Sequence, residues 1–478
     1  LFANTLKITG LCLLLSACAV GPDFMRPATP MQNAAKFHNS FDQIGQSADM
    51  NLWWERLGDP VLNDYADKLL RQNLSLVQAS ERIIQARSQI DTARGNFAPS
   101  LGASADAGRS FTTANGVTTT QRTYANSYNA QLSASWEIDL FGRIRRASEA
   151  ATANYQAAAY DYEALTHSLI AELLNRRVSI AVNKELLDLA QKNYINQKKI
   201  YNLVQNRYNL GAKGTSLADI YLAEESYRSV YAEVYKYERA LMDDIYRLDI
   251  LLGEVPGTTD PLSTPFDLVT PPLDVASCLP AQLLDRRPDL KAAELRSKAA
   301  NANIGVAMAD LYPSLNLGGT VGYSSPSTGG IFSPQNMAGS LLASLTQRIF
   351  EGGKLRANIA LKESQAREAV AAYADQVLSA VYEVETRLKA DRDLTDEYYS
   401  IEKSLTALRK AEKLTQERYL SGITTLQQYL DIQQRRYATE QKFKLKQQEK
   451  WATRSALYLA LGGDWHAKDA NNNTTLCR

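Results

Sequence analysis

Two periodicities alternate along the chain, and each occurs twice. Residues 72–97 and 288–311 read as helices, and a proline, Pro99 or Pro313, stops each run soon after. Period-two alternation follows. Leu101, Ala103, Ala105 and Ala107 alternate with small or polar neighbours, and Tyr128, Ala130, Leu132, Ala134, Trp136, Ile138 and Leu140 do so more cleanly, so these segments predict strands. The segment 112–122 between them is rich in Thr, Asn and Gly and predicts a hairpin loop; 324–336 holds the same place in the second half.

From 143 to 210 and from 354 to 421 there is neither glycine nor proline. Each stretch permits a helix of roughly 65 residues, a rod of about 100 Å at about 1.5 Å per residue. Leu187, Ala190, Tyr194, Tyr201, Val204 and Tyr208 recur at coiled-coil spacing with Gln197 interrupting. Tyr398, Ile401, Leu405, Leu408, Thr415 and Tyr419 do likewise, with Glu412 interrupting. Glycines at 211–214 and 422 then turn the chain, and 216–252 and 424–461 return as long helices. Each half therefore predicts an antiparallel helical hairpin.

The two halves repeat one another at a spacing of about 210 residues. Arg207-Tyr208 before Gly211 recurs as Arg418-Tyr419 before Gly422, and Leu217-Ala218-Asp219-Ile220 recurs in kind as Tyr429-Leu430-Asp431-Ile432. Asp139-Leu140-Phe141-Gly142 is echoed by Arg348-Ile349-Phe350 with Gly352. The expected organisation is a first repeat over 71–253 and a second over 282–461, joined by a linker at 254–281 and flanked by an N-terminal segment 18–70 and a tail 462–478.

Burial then dictates assembly. No segment after the N-terminus has the long uncharged apolar run of a spanning helix, so strands must do any crossing. Four strands per chain cannot close a barrel, and an open edge in lipid leaves unpaired backbone groups that cost several kcal/mol each. Three copies would supply twelve strands and six helical hairpins. The expected class is an α+β membrane protein whose duplicated strand hairpins contribute to a trimeric twelve-stranded β-barrel continuing into a long α-helical barrel.

Charge changes the picture only by exclusion. Lys+Arg number 53 and Asp+Glu 52, so no field of one sign is available to attract nucleic acid. The N-terminus is more informative. Lys7 precedes an apolar run at 8–15 that suits a signal-peptide core at 1–17, and Leu15-Ser16-Ala17-Cys18 resembles a bacterial lipobox. Cys18 is then the expected lipidation site; the alternative is an ordinary cleavage near Ala17 with an incidental cysteine. Ala19 after the cysteine resembles lipoproteins sorted to the outer membrane. Cys278 and Cys477 are left as an even pair, open either to one disulfide or to two free thiols.

The lipobox, Trp53-Trp54-Glu55 with Gly58-Asp59-Pro60, the duplicated strand hairpins and the two Arg-Tyr-x-x-Gly turns together resemble the outer membrane factor family, that of TolC, in its lipoprotein branch serving tripartite RND-type drug efflux. The order and duplication of these motifs carry the resemblance, since Arg-Tyr-x-x-Gly alone is weak. The resemblance implies a homotrimer with a barrel in the outer membrane, a helical tunnel in the periplasm and an equatorial belt drawn from 22–70, 254–281 and 462 onward. It also implies a periplasmic adaptor and an inner-membrane pump as partners, outer-membrane lipid around the barrel, and a passive gated exit duct for drugs or other small toxic compounds. The same fold serves type I protein secretion, which is the alternative; a periplasmic adaptor lipoprotein is a further one, disfavoured because it would show a single helical hairpin.

Within that resemblance Asp431 matches the constriction aspartate, and Asp219 is read as its repeat counterpart. Gln428 stands where some relatives carry a second aspartate, and Thr424 where some carry a basic gate residue. Carboxylate rings at a pore tip would attract cations and repel one another; the competing role for Asp219 and Asp431 is to favour the positive end of a helix dipole. Arg207, Tyr208, Gly211, Arg418, Tyr419 and Gly422 would shape the tip that an adaptor grips, and the two glycines suit left-handed helix ends. Trp136, Tyr124, Tyr128, Tyr323 and Phe350 are candidates for the aromatic girdles of a barrel, with core packing as the competing role. His38, His167 and His466 are scattered, and no metal-ligand spacing, phosphate loop or nucleophile-and-base pattern is present, so neither a cofactor nor an enzymatic activity is expected.

Overall fold

The structure, a computed structural model, describes residues 19–28, 37–39, 53–115, 120–212, 214–269 and 283–463. The expected signal peptide 1–17, Cys18, Cys278, Cys477 and His466 lie outside the described residues. The helices longer than one turn are α1 (Pro60–Gln72), α2 (Leu74–Gly95), α3 (Arg143–Asn209), α4 (Leu217–Leu251), α5 (Pro288–Ala309), α6 (Lys354–Leu420) and α7 (Leu426–Ala460). The strands are β1 (Ser100–Asn115), β2 (Thr120–Ile138), β3 (Ser314–Ser325) and β4 (Met337–Thr346). Helices α3 and α6 each run 67 residues without interruption, and α4 and α7 each run 35. None of the described helices is long and apolar enough to cross a membrane.

Two compact units divide the chain, and each draws on both sequence halves. The first combines Leu1–Pro27, Glu81–Ala159 and Ala292–Ala374. Its sheet is antiparallel in the order β1-β2-β3-β4. The hairpin loop expected over 112–122 is much shorter, because β1 continues to Asn115 and β2 resumes at Thr120. Threonines at 112, 113, 120 and 123 account for the difference: their β-branched side chains fit an extended, pleated backbone as readily as a turn.

Pairing register gives the sheet two unlike faces. Leu101 lies opposite Ala134, Ala103 opposite Leu132, Trp136 opposite Leu317, Leu132 opposite Val321 and Leu315 opposite Leu345. Cross-strand partners share a face, so one face is apolar from its helix end up to Ala107 and Tyr128. Tyr124, Tyr128, Trp136 and Tyr323 stand on it, whereas Phe350 lies beyond the end of β4 and is exposed. The other face carries Asp106, Asn129, Gln131, Ser133, Thr320 and Ser324. There Asn129 donates to Asp106 at 2.9 Å, Ser324 to Asn129 at 2.7 Å, and Thr320 and Ser340 bond at 2.8 Å.

Below the sheet, Asp139 caps α3 by accepting from the backbone of Ile144 and Arg145. Alanines 150 and 153 of α3 pack with alanines 299 and 302 of α5, a close approach that larger side chains would prevent. The segment after Cys18 is strapped to this corner. Val20 donates to the Phe141 carbonyl at 3.1 Å, and Arg146 reaches Asp23 at 2.7 Å and the carbonyls of Val20 and Gly21 at 3.3 Å. Gly142 sits at φ +81°, and a Cβ there would lie 2.7 Å from that of Ala19, so only glycine leaves room for the strap.

The second unit combines Ala28–Ser80, Tyr160–Lys291 and Asp375–Arg478. Its main core joins Leu62 and Leu69 of α1, Leu173, Leu174, Val178 and Leu186 of α3, and Leu241, Ile245 and Leu248 of α4; each such side chain contributes about 2 kcal/mol on burial. Trp53 and Trp54 are part of it, Trp53 stacking on Tyr458 at 4.9 Å. Arg177, 1% exposed, is held by Asp59 at 3.2 Å and by the carbonyls of Pro261 and Thr264 at 2.7 and 2.6 Å. A buried guanidinium costs dearly unless so surrounded, and here it ties the N-terminal segment and the mid-chain linker to α3.

Candidate functional site at the two helical turns

Both long helices of the second unit end in the same way. Gly211 and Gly422 take left-handed φ of +66° and +77°. The amide of Gly211 bonds the Tyr208 carbonyl and that of Ala212 the Arg207 carbonyl, both at 2.9 Å. In the second half Gly422 bonds Tyr419 at 3.0 Å and Ile423 bonds Arg418 at 2.9 Å. These paired bonds are Schellman closures, which satisfy the last carbonyls of a helix and need a residue free of Cβ strain at the turn. The returning helices begin with matched capping boxes: Ser216 with Asp219, and Thr425 with Gln428.

The caps fix a register that local sequence likeness had shifted. Thr425 follows Gly422 by three positions, whereas Ser216 follows Gly211 by five, so the second turn is two residues shorter. Counted from the caps, Asp219 corresponds to Gln428, three residues in, and Asp431 to Leu222, six residues in. The reading of Asp219 as the repeat counterpart of Asp431 is therefore corrected: Leu-Ala-Asp-Ile and Tyr-Leu-Asp-Ile resemble one another while standing at different heights on their helices. Asp219 also spends its carboxylate locally, accepting at 2.7 Å from both the amide and the hydroxyl of Ser216. Asp431 is freer. Its carboxylate is 53% exposed and, among the described residues, pairs with Arg435, one turn on, at 3.2 Å, a pairing worth about 0.3–0.5 kcal/mol at such an exposed site.

The equivalent tyrosines diverge as well. Tyr208 is 42% exposed, but Tyr419 is only 8% exposed. The Tyr419 ring stacks on Tyr429 with centroids 5.5 Å apart and 10° between planes, and the Arg207 guanidinium lies 5.2 Å from its centroid. Burial raises the Tyr419 hydroxyl above its ordinary pKa; Arg207 opposes that rise and Asp219 adds to it. Burial, with Glu412 nearby, pushes Tyr429 up to about 12. Around these rings Ile200, Val204, Ala223 and Leu426 close a small core, so the turns are packed against each other. Arg418 is exposed and serves through its backbone carbonyl.

Beneath the turns lies a polar layer. Gln197 donates to Gln433 at 2.9 Å in a buried amide pair. Arg436 bonds Glu412 at 2.9 Å and Glu440 at 2.6 Å, and Arg409 reaches Glu440 at 2.5 Å. Burial favours the neutral acid at Glu440, but the hydrogen bonds from both arginines outweigh it and hold the carboxyl below its usual range. Gln197 and Glu412 were legible as breaks in the coiled-coil pattern; their partners Gln433 and Arg436, seen only in the structure, explain why a break is tolerated there. Among the described residues no group of His, Cys, Asp and Glu could hold a metal ion.

Two stretches of the chain, residues 65–254 and 279–463, match the outer membrane efflux protein family. The chain belongs to that family. This outer membrane efflux protein is 31% identical to the outer membrane protein OprJ of Pseudomonas aeruginosa over 95% of both chains. It is 29% identical to the toluene efflux pump outer membrane protein TtgF of Pseudomonas putida, over 95% of this chain and 96% of that one. Its fold matches the outer-membrane channel OprN with a TM-score of 0.80 at 29% identity, covering 94% of this chain and all of the other. The efflux protein is thus an outer-membrane channel protein of the TolC type, and the periplasmic-adaptor alternative falls away.

Proposed function

We propose that this chain is the outer-membrane exit duct of a tripartite efflux system, assembling as a homotrimer, receiving its cargo through a periplasmic adaptor and an inner-membrane pump, and discharging small toxic compounds. The observation that carries this reading is the four-stranded sheet. Its order leaves β1 and β4 each with one edge outside the sheet, and one of its faces is apolar while the other is lined with hydroxyls and amides. In a membrane the edges must be satisfied by further strands, and copies of the same chain supply them without a new protein. A barrel closed in that way carries its polar face inward, as a water-filled duct requires.

Small molecules are favoured as cargo by the relation to a toluene efflux pump component. Anchoring through a lipid on Cys18 is supported by the strap at Ala19–Asp23, which brings the chain emerging from Cys18 to the foot of the sheet. Gating at the turns rests on Asp431, whose exposed carboxylate is available to meet its copies, while adaptor contact is assigned to the exposed tip residues Tyr208 and Arg418 around Gly211 and Gly422. The pump supplies the energy, so the duct itself needs no catalytic group.

The test compares cells lacking this chain with complemented cells for retention of dyes, detergents, solvents, antibiotics and secreted proteins. Raised retention of small amphiphiles, reversed by the gene, is the expected result. Unaltered small-molecule retention with one missing secreted protein would move the duct to protein export.

A further inference from the structure

The apolar face of the sheet changes character near the β1–β2 turn. From the helix end upward that face presents Leu101, Ala103, Ala105 and Ala107 on β1 beside Trp136, Ala134, Leu132, Ala130 and Tyr128 on β2. The next three paired rows on the same face are Arg109 with Asn126, Phe111 with Tyr124, and Thr113 with Arg122. Two guanidiniums therefore flank an aromatic pair on the surface that would face lipid. Arg109 lies 4.9 Å from the Tyr124 centroid and Arg122 5.5 Å from that of Phe111, while the two rings are 6.2 Å apart. Both arginines lean toward the same pair of rings, which holds them in place without neutralising them.

Among the described residues no carboxylate is paired with either arginine. The acids of the hairpin are Asp106, engaged by Asn129 on the polar face, and Glu137, paired with Arg143 at the helix end. Residues 314–346 contain no Asp or Glu at all. Depth matches a boundary rather than a bilayer centre: with about 3.4 Å per residue and a strand tilt near 40°, the ten positions from Trp136 to Asn126 climb roughly 26 Å, against an apolar band of about 25 Å in barrels of this type. The arginines begin where the hydrocarbon ends, at the end of the sheet remote from the helices.

We propose that Arg109 and Arg122 form a binding site for the phosphate groups of a phosphorylated glycolipid in the outer leaflet of the outer membrane. This rests on the outer-membrane reading of the apolar face. The planar guanidinium matches phosphate oxygens in pairs of parallel hydrogen bonds, and the Phe111 and Tyr124 rings lie against the first carbons of the acyl chains. The site fixes the height of the barrel in the membrane and selects lipids by their phosphates rather than by their chains.

The test uses the full-length assembled protein in detergent, with bisphosphorylated lipid A, the same lipid stripped of phosphate, and inorganic phosphate as probes, and reads bound lipid by native mass spectrometry. Wild type should retain bisphosphorylated lipid A, and Arg109→Gln/Arg122→Gln should retain roughly tenfold less. Lys354→Gln, which removes a charge at the helix end of the sheet, should behave as wild type. Equal retention by the double variant, equal binding of the phosphate-free lipid, or full displacement by millimolar inorganic phosphate would each overturn the site. The single variants serve if the double variant does not assemble. Fractionation of the same cells separates the two readings: wild type absent from the outer membrane would sink the membrane assignment itself, whereas wild type present there without lipid selectivity would sink this site alone.

Discussion

The guanidinium of Arg207 rests 5.2 Å from the centre of the Tyr419 ring, joining the end of α3 to the end of α6. These residues belong to the same motif in the two repeats, yet they meet across it, arginine from one half and tyrosine from the other. Sequence symmetry has become a contact between unlike members. Because Tyr419 in turn stacks on Tyr429 of α7, one cation and two rings tie three helices at the tip.

Loss of that tie should loosen the turns. Arg207→Ala removes a cation–π contact worth about 0.5–2 kcal/mol, and faster amide exchange at both turns is the expected result. Arg418→Ala, whose side chain is exposed, should leave exchange near the wild-type rate. Equal effects of the two substitutions would show that the asymmetry is of no consequence.

The two aspartates should separate by readout. Asp219→Ala removes half of a capping box and should cost about 1 kcal/mol of local helix stability, visible as fraying of the first turn of α4. Asp431→Ala leaves its helix cap untouched and should instead raise ion conductance of reconstituted assemblies and lower their cation selectivity. Unchanged conductance for Asp431→Ala would remove it from the gate.

Glu440 provides a pH dependence. Its carboxyl is held below the ordinary value by Arg409 and Arg436 despite its burial, so the folded state binds its proton less readily than the unfolded chain. The stability it contributes is fully present above the unfolded carboxylate value of about 4.3 and is lost as pH falls through the lower folded value. Thermal midpoints measured from pH 6 to pH 3 should drop more steeply for wild type than for Glu440→Gln. Parallel curves would mean that the layer beneath the turns does not depend on this charge.

Cys18→Ser should abolish acylation while leaving the thermal midpoint unchanged, because the strap is held by residues 19–23. Arg146→Ala should do the reverse, preserving acylation but exposing the strap to limited proteolysis, since Asp23 and the Val20 and Gly21 carbonyls lose their common donor. Lipid labelling that persists in Cys18→Ser would place the anchor elsewhere.

Periodicity along the chain determined the elements and their duplication, because side-chain spacing of two or near three and a half records which face of a strand or helix meets a partner. It located two uninterrupted long helices and their returns to within a few residues, placed a strand hairpin ahead of each, and marked Gln197 and Glu412 as polar breaks. What it misjudged was local: threonines of 112–122 suit strand as well as turn, and a shared Asp-Ile behind two apolar residues placed Asp219 level with Asp431. The caps at Ser216 and Thr425, local contacts between residues three apart, set that register once the structure showed where each turn ends; the tertiary structure decided the rest. It alone made Tyr419 buried and Tyr208 exposed, gave Arg177 and Arg146 their clamps, and set two arginines on an apolar face. Such pairings join residues far apart in the chain, where no periodic pattern records who stands opposite whom.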